Sequence, residues 1–294
     1  MRRSVKLVVA SLRDEASVAI RTELLEQPGW RASLRGSFEG TEVFEHRDGG
    51  FVLVTIRDLH LDHDAIDYEA STALGLGPGD LEAVIFLSKH RAESGMRSLT
   101  VHPLGNFGAA DLGGRPGTLV PAAPEMMTVA LRGLAIRGGD LGFRATFEAT
   151  HHGPFLSTPS FFYELGSGPA DWTNATAARA LAEVLLACRE DRVPVGIGFG
   201  GGHYVPRITD VVLARDVAFG HLVPSHAVPH LDDAMIDRVI AATPRAAFAY
   251  LHRNALDSAD ARRIERALQA RGISVLREAD LPPRARAQSS SSPP

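Results

Sequence analysis

The chain has 294 residues, a formal net charge of −4 and 45% hydrophobic residues, enough to bury a substantial core in one large α/β domain or two smaller ones. No window approaches the ~18 uninterrupted apolar residues of a membrane span, and Arg2-Arg3 adjoins no long apolar stretch or cleavage site, so a cytoplasmic protein without a membrane partner is expected. The single cysteine, Cys188, excludes a disulfide framework and a cysteine-rich zinc site, while the negative charge excludes a surface coated for nucleic acid but not a local basic groove.

In chain order, residues 5–10 read as a strand, 14–25 as the following helix and 51–56 as a second strand. The stretch 57–68 gathers His60, Asp62, His63, Asp64 and Asp67, and reads as a solvated loop in preference to a second ligand cluster. Residues 83–87 form a buried strand that runs into Ser88, Lys89 and His90, and 98–101 form another that ends at His102. Helical spacing covers 124–137, and a strand over 143–148 leads to His151 and His152. The strongest helix is 171–189, with capping oxygens at its start and Ala177, Leu181, Val184, Leu185 and Cys188 along one face. A strand over 193–199 runs into the glycines before His203, and another over 217–219 precedes His221. Helix 231–242, strand 246–251 before His252, helix 258–271 and strand 273–276 complete the body.

This alternation predicts an α/β fold with a mainly parallel or mixed central sheet and helices on both faces. One catalytic domain over 1–281 is expected, followed by a disordered Ser/Pro-rich tail at 282–294. His90, His102, His151, His203, His221 and His252 all follow strands. Ligands of open α/β sheets bind beyond the carboxyl ends of the strands, so a shared strand direction would bring these rings to one rim. Any antiparallel strand breaks that inference.

The run from Gly196 to Gly201 contains G-x-G-x-x-G after a strand, but Pro206 and its β-branched neighbours predict no helix behind it, so a dinucleotide site is rejected. Gly200, Gly201 and Gly202 read instead as a turn that lets backbone approach a substrate, with His203 at its mouth and Tyr204 beside it. The adjacent His151 and His152 point to proton transfer or metal binding, with Glu164 as a general base or as the group that fixes an imidazole tautomer. Ser88 and Lys89, with Ser94-Gly95, suit a phosphate or ribose contact or an ordinary solvated turn, and Asn106 adds an amide near His102. No G-x-S-x-G elbow, H-E-x-x-H helix or phosphate loop is present, which leaves attack by activated water as the simplest hydrolytic route.

Taken together, Leu87-Ser-Lys-His90, Leu99-Thr-Val-His102 with Gly105-Asn106-Phe107, Ala149-Thr-His-His-Gly-Pro154, the segment from Ser160 to Ser167, and Gly200-Gly-Gly-His-Tyr-Val-Pro206 resemble the archaeal and plant-type D-aminoacyl-tRNA deacylase family. The motifs stand in the family's order and span roughly residues 84–206. The resemblance implies hydrolysis of the ester between a D-amino acid and the tRNA 3′ end, an association with zinc, and an α/β fold likened to nucleoside phosphorylases and bacterial peptidyl-tRNA hydrolases. By motif it carries over His151, His152 and His203. With the residue readings above, the expected catalytic residues are His151, His152, Glu164 and His203, the zinc ligands lie among His90, His102, His151 and His203, and substrate contacts come from Ser88, Lys89, Asn106, Gly200, Gly201, Gly202 and Tyr204. A monomer acting on D-aminoacyl-tRNA, with no protein partner, is the expected assembly. Two departures stand out: Lys6 and Lys89 are the only lysines, which leaves arginine to hold tRNA phosphates, and the Ser/Pro tail is not a family hallmark. The rival readings are a nucleoside phosphorylase with phosphate near Ser88, Lys89 and His90, and a non-catalytic module that binds RNA ends.

Overall fold

The computed structural model describes residues 4–47, 50–77, 79–92, 95–189 and 192–284. Ser94 and residues 285–294 of the expected tail therefore lie outside the described residues. Residues 282–284 do pair with the body, since Pro282 O accepts from Asp216 N and Arg284 N donates to Ala214 O.

The chain opens with β1 (Val5–Ser11) and α1 (Glu15–Glu26), followed by β2 (Trp30–Phe38), β3 (Thr41–His46), β4 (Phe51–Ile56), α2 (Ile66–Leu74) and β5 (Leu81–Arg91). Next come β6 (Ser98–His102), α3 (Pro124–Asp140), β7 (Arg144–Phe147), β8 (Ser160–Ser167), α4 (Pro169–Trp172) and α5 (Ala175–Ala187). The last stretch alternates regularly through β9 (Val195–Phe199), α6 (Pro206–Ala214), β10 (Ala218–Val223), α7 (Asp233–Ala241), β11 (Ala246–Leu251), α8 (Ser258–Gln269) and β12 (Ser274–Leu276).

These strands form two sheets. The larger has the order β2-β3-β4-β1-β5-β8-β6-β7, and the smaller the order β10-β9-β11-β12. In the larger sheet β4, β1, β5 and β8 are parallel, whereas β6 runs antiparallel to β8 and β2 and β3 form an antiparallel hairpin. The expected α/β class with a mixed sheet therefore holds. One hydrophobic cluster joins both sheets, taking Leu53, Ile85 and Leu165 from the larger and Phe219, Leu222 and Phe248 from the smaller, with α3 packed against β6 and β7 of the one and β10 of the other. In α5 the side chain of Asn174 caps the first turn, and Leu181 and Leu185 are fully buried. Each such leucine contributes about 1.5–3 kcal/mol relative to an exposed one.

Four expectations need correction. A helix does open at Pro206: proline stands at its first turn, where its fixed φ fits and no hydrogen-bond donor is needed. The dinucleotide reading still fails, because Gly196 and Gly198 lie inside β9, where a methyl group would meet the Phe248 ring at 2.5 Å or Ile208 at 2.6 Å. The stretch 57–68 is not a solvated loop: His60 packs against the Phe86 and Phe162 rings, and Asp67 is buried while accepting from Ser157 N and Thr158 N. His221 does not follow its strand but lies within β10, buried, with Nδ1 accepting from Thr150 Oγ1 and Nε2 donating to Val120 O. Finally, β2, β3 and β8 escape the sequence reading; β2 is mostly exposed and lacks a buried stripe, and β8 is buried along its whole length.

Candidate active site

Side chains alternate faces along a strand, so Phe86, Ser88 and His90 of β5 share one face of the larger sheet. The register sets them opposite Phe162, Glu164 and Gly166 of β8, which in turn face His102, Thr100 and Ser98 of β6. The intervening residues Ile85, Leu87, Leu99, Val101, Tyr163 and Leu165 point the other way into the core. Three strands thus carry a polar strip over the middle of the sheet. The site is not a carboxyl-end rim, because antiparallel β6 brings His102 in from the opposite direction.

The chain beyond β7 folds over this strip and supplies its second wall. Glu148 is fully buried there, with its backbone N–H donating to Val101 O. His152 adopts φ +44°, outside the extended region, and this turn lets both rings of the His151-His152 pair enter the same pocket at a centroid separation of 4.3 Å. The His102 ring lies 4.1 Å from His151 and 4.9 Å from His152. From the turn after β9, His203 reaches in with Nε2 2.9 Å from Glu148 Oε2, and His90 Nδ1 lies 2.9 Å from Glu148 Oε1. Tyr204 completes this side, its hydroxyl 2.7 Å from His90 Nε2.

The five imidazoles form two groups. His90 and His203 flank Glu148, while His102, His151 and His152 bring ring nitrogens within 4.8 Å of one another. The candidate zinc set of His90, His102, His151 and His203 is thereby divided, and His152 joins the second group. In that group each ring donates Nδ1–H to a backbone carbonyl: His102 to Pro103 at 3.2 Å, His151 to Ala149 at 2.8 Å and His152 to Gly153 at 2.8 Å. This fixes the tautomer that leaves Nε2 as a lone-pair donor, the arrangement found behind metal-ligating histidines. His102 Nε2 and both Glu148 oxygens are buried without an aligned hydrogen-bond partner, so the donors of this centre suit a cation.

Electrostatics follow from burial against these partners. Burial disfavours charge on His90, yet the facing Glu148 and Glu164 carboxylates outweigh it and hold the ring protonated, pushed up to about 11. Glu164 is taken down to about 2, because His102 and His90 overcome both its burial and the repulsion of Glu148. Burial and the charge on His102 push His152 down to about 4 and His151 well below the usual imidazole range, so both are neutral at pH 7. His102 itself is drawn up by Glu164 despite its burial. The space between Glu164 and the neutral pair therefore favours a positive charge, carried by a proton or a metal.

Other candidates lie at the margin. Ser88 Oγ donates to Asp14 Oδ2 beside Glu164, whereas Lys89 is out of phase and pairs with Glu15 at 2.7 Å. Asn106 Nδ2 donates to Gly113 O and holds the loop beside His152. Gly200 and Gly201 adopt φ +96° and +119° in the turn before His203, whose side chain is half exposed. Among the remaining histidines, His63 is clamped by Asp58 at 3.1 Å and Glu69 at 3.0 Å in a separate cluster, and His252 lines a cleft of the smaller sheet. Sequence reasoning gives no role to two residues of the centre, Glu148 and Gly166. Glu148 stands three positions before His151, and that spacing at a strand end is its only signal in the chain.

The family model for D-aminoacyl-tRNA deacylase matches residues 78–276, which include every residue of this centre. The chain belongs to the D-aminoacyl-tRNA deacylase family. Relatives include the D-aminoacyl-tRNA deacylase of Methanococcoides burtonii, 36% identical over 94% of this chain, and that of Methanosarcina mazei, 36% identical over 93%. The chain spans 57% of the first relative's length and 92% of the second's. The crystal structure of a conserved protein of unknown function, AF0625, superposes with a TM-score of 0.85 at 29% identity, covering 96% of this chain and 98% of that one. Among the described residues of this family member, no helix is long and apolar enough to cross a membrane.

Proposed function

We propose that this deacylase-family chain hydrolyses the ester joining a D-amino acid to the 3′ end of tRNA, with water as the attacking group and its two sheets working as one catalytic domain. The observation that carries the reading is the convergence of His90, His102, His151, His152 and His203 on the buried carboxylates Glu148 and Glu164 in a chain of this family.

An aminoacyl ester is already an activated acyl group, so the centre has chiefly to orient water and stabilise developing negative charge. His203, half exposed at the mouth, donates Nε2–H to Glu148 and accepts the proton of the attacking water at Nδ1, and Glu148 stabilises the imidazolium that forms. The buried His90 imidazolium balances the two carboxylates and holds the Tyr204 hydroxyl at the edge of the pocket. Glu164, accepting from Thr100 Oγ1 and 3.7 Å from His102 Nε2, orients that ring and is not itself the base. The turn at Gly200, Gly201 and Gly202 admits the substrate backbone, while Ser88, Lys89 and Asn106 support the walls.

Zinc suits the second group of histidines. His102, His151 and His152 would hold it through Nε2, in accord with their carbonyl-bonded Nδ1 atoms and the orphaned His102 Nε2. A zinc ion with an open position supplies Lewis acidity to a carbonyl and lowers the pKa of a bound water toward ~7.

The deciding experiment incubates the purified protein with D- and L-aminoacyl-tRNA, with and without a chelator. Release of the D-amino acid with the L-ester spared is expected. Equal hydrolysis of both isomers, or of neither, overturns the function.

A further inference from the structure

The smaller sheet has a crevice of its own. Its four strands are parallel, and the chain leaves β9 toward β10 on one side but leaves β11 toward β12 on the other. Open parallel sheets bind ligands beyond the carboxyl ends of the strands near such a reversal. A cavity of about 430 Å³ lies there, lined by Arg207, Tyr250, His252, Arg253, Arg277 and Glu278 together with neighbouring backbone.

Its charge is opposite to that of the whole protein. Three guanidinium groups and an imidazole face one carboxylate, Glu278, in a chain of net charge −4. Glu278 is itself engaged by Arg207 and, at 3.6 Å, by Arg215. Arg253 reaches Glu265 on α8 at 2.9 Å, while Arg277 is exposed and carries no ion pair among the described residues. His252 Nδ1 is buried without a hydrogen-bond partner. Guanidinium forks in such a cleft suit phosphate oxygens.

The cleft also adjoins the histidine centre. Arg207 follows His203 by four residues, and since the chain extends by at most ~3.5 Å per residue, their Cα atoms lie within ~14 Å of each other. The turn that carries His203 packs against His252 of the cleft and the chain beside it: a methyl at Gly200 would come 2.9 Å from His252 O, Gly201 N donates to Ser225 Oγ, and Ser225 Oγ donates to Ala255 O.

We propose that this cleft binds the acceptor-strand phosphates of the tRNA, with Arg253 and Arg277 as the contacting residues, so that the terminal ester is delivered to His203. The proposal rests on the functional reading above and names the surface that holds the polyanion. A second arginine-lined cavity, of about 540 Å³ with Arg31, Arg35, His46 and Arg47, opens at the amino-terminal ends of β1 and β4, and none of the five histidines of the centre lines it. It provides the control.

The test measures binding of uncharged tRNA at several salt concentrations to the native chain, to Arg253→Gln/Arg277→Gln and to Arg31→Gln/Arg47→Gln, with thermal melting to confirm that each is folded. The first double variant should bind about tenfold more weakly, and its log K against log salt should flatten by about 0.7–0.9 for each phosphate that is no longer neutralised. KM for D-aminoacyl-tRNA should rise with the dissociation constant, and the control should match the native chain. Unchanged affinity and slope in Arg253→Gln/Arg277→Gln, or a weakening confined to Arg31→Gln/Arg47→Gln, overturns the proposal. Binding of uncharged tRNA needs no ester hydrolysis, so a native chain that binds through these arginines but does not deacylate would sink the functional reading and leave the cleft assigned.

Discussion

Gly166 and His90 are packed so tightly across β8 and β5 that a methyl group on Gly166 would stand 2.7 Å from His90 Cβ and 2.7 Å from its carbonyl oxygen. The glycine is what lets an imidazole lie flat on the sheet at this point. Gly166→Ala should displace His90 from Glu148, lower kcat/KM by about 10–100-fold and destabilise the fold by about 1–3 kcal/mol, the usual range for overpacking. Steady-state kinetics with a parallel denaturant titration checks it; native-like kinetics would mean that the ring has no part in the reaction.

Glu148→Gln keeps the shape of the buried side chain and removes its charge. His203 and His90 are then deprived of the carboxylate 2.9 Å from each. Deacylation should fall by ~10²–10⁴, in the range for loss of an acid–base group, while far-ultraviolet circular dichroism stays native. A reduction below tenfold would take Glu148 out of the proton path.

Metal analysis separates the two histidine groups. The protein loaded with zinc and dialysed should retain metal in His90→Ala and His203→Ala but release it in His102→Ala, His151→Ala and His152→Ala. The reason is that only the latter three bring carbonyl-oriented rings together. Stripping by a chelator should abolish turnover, with recovery on zinc addition. Full retention of zinc in His152→Ala would return the ligand set to the other imidazoles.

Stability should fall with acid through His221. Burial holds this ring neutral, with its folded pKa at about 4, whereas an unfolded imidazole titrates near 6.5. Between those values the unfolded chain binds the extra proton, so the contribution is complete above pH 6.5 and is lost as pH falls toward 4. A shift of this size corresponds to about 3 kcal/mol. Denaturant unfolding at a series of pH values should show a shallower slope in this window for His221→Gln than for the native chain.

The short apolar runs of β5 and β6 make these strands, and the histidines at their ends, readable from the chain, whereas β8 is not read as a strand. What stays hidden depends on partners distant in sequence. His60 reads as a loop residue until Phe162, far along the chain, packs on it, and Asp67 reads as solvated until the backbone of Ser157 and Thr158 bonds to it. Pro206 reads as a barrier to a helix, although at a first turn it is a favourable start. The direction of β6 is also invisible, since residue spacing gives a strand its faces but not its sense, and with it goes the position of the centre on the sheet.

The three oxygens that fix the tautomers of His102, His151 and His152 belong to the main chain at Pro103, Ala149 and Gly153. No point substitution can delete them, as one could delete an aspartate serving the same purpose. The orientation of these rings is therefore insulated from sequence drift in their surroundings. Only a change in the path of the backbone, by insertion, deletion or altered turn geometry, can misalign them, so the centre should tolerate varied neighbouring side chains while demanding a constant loop length.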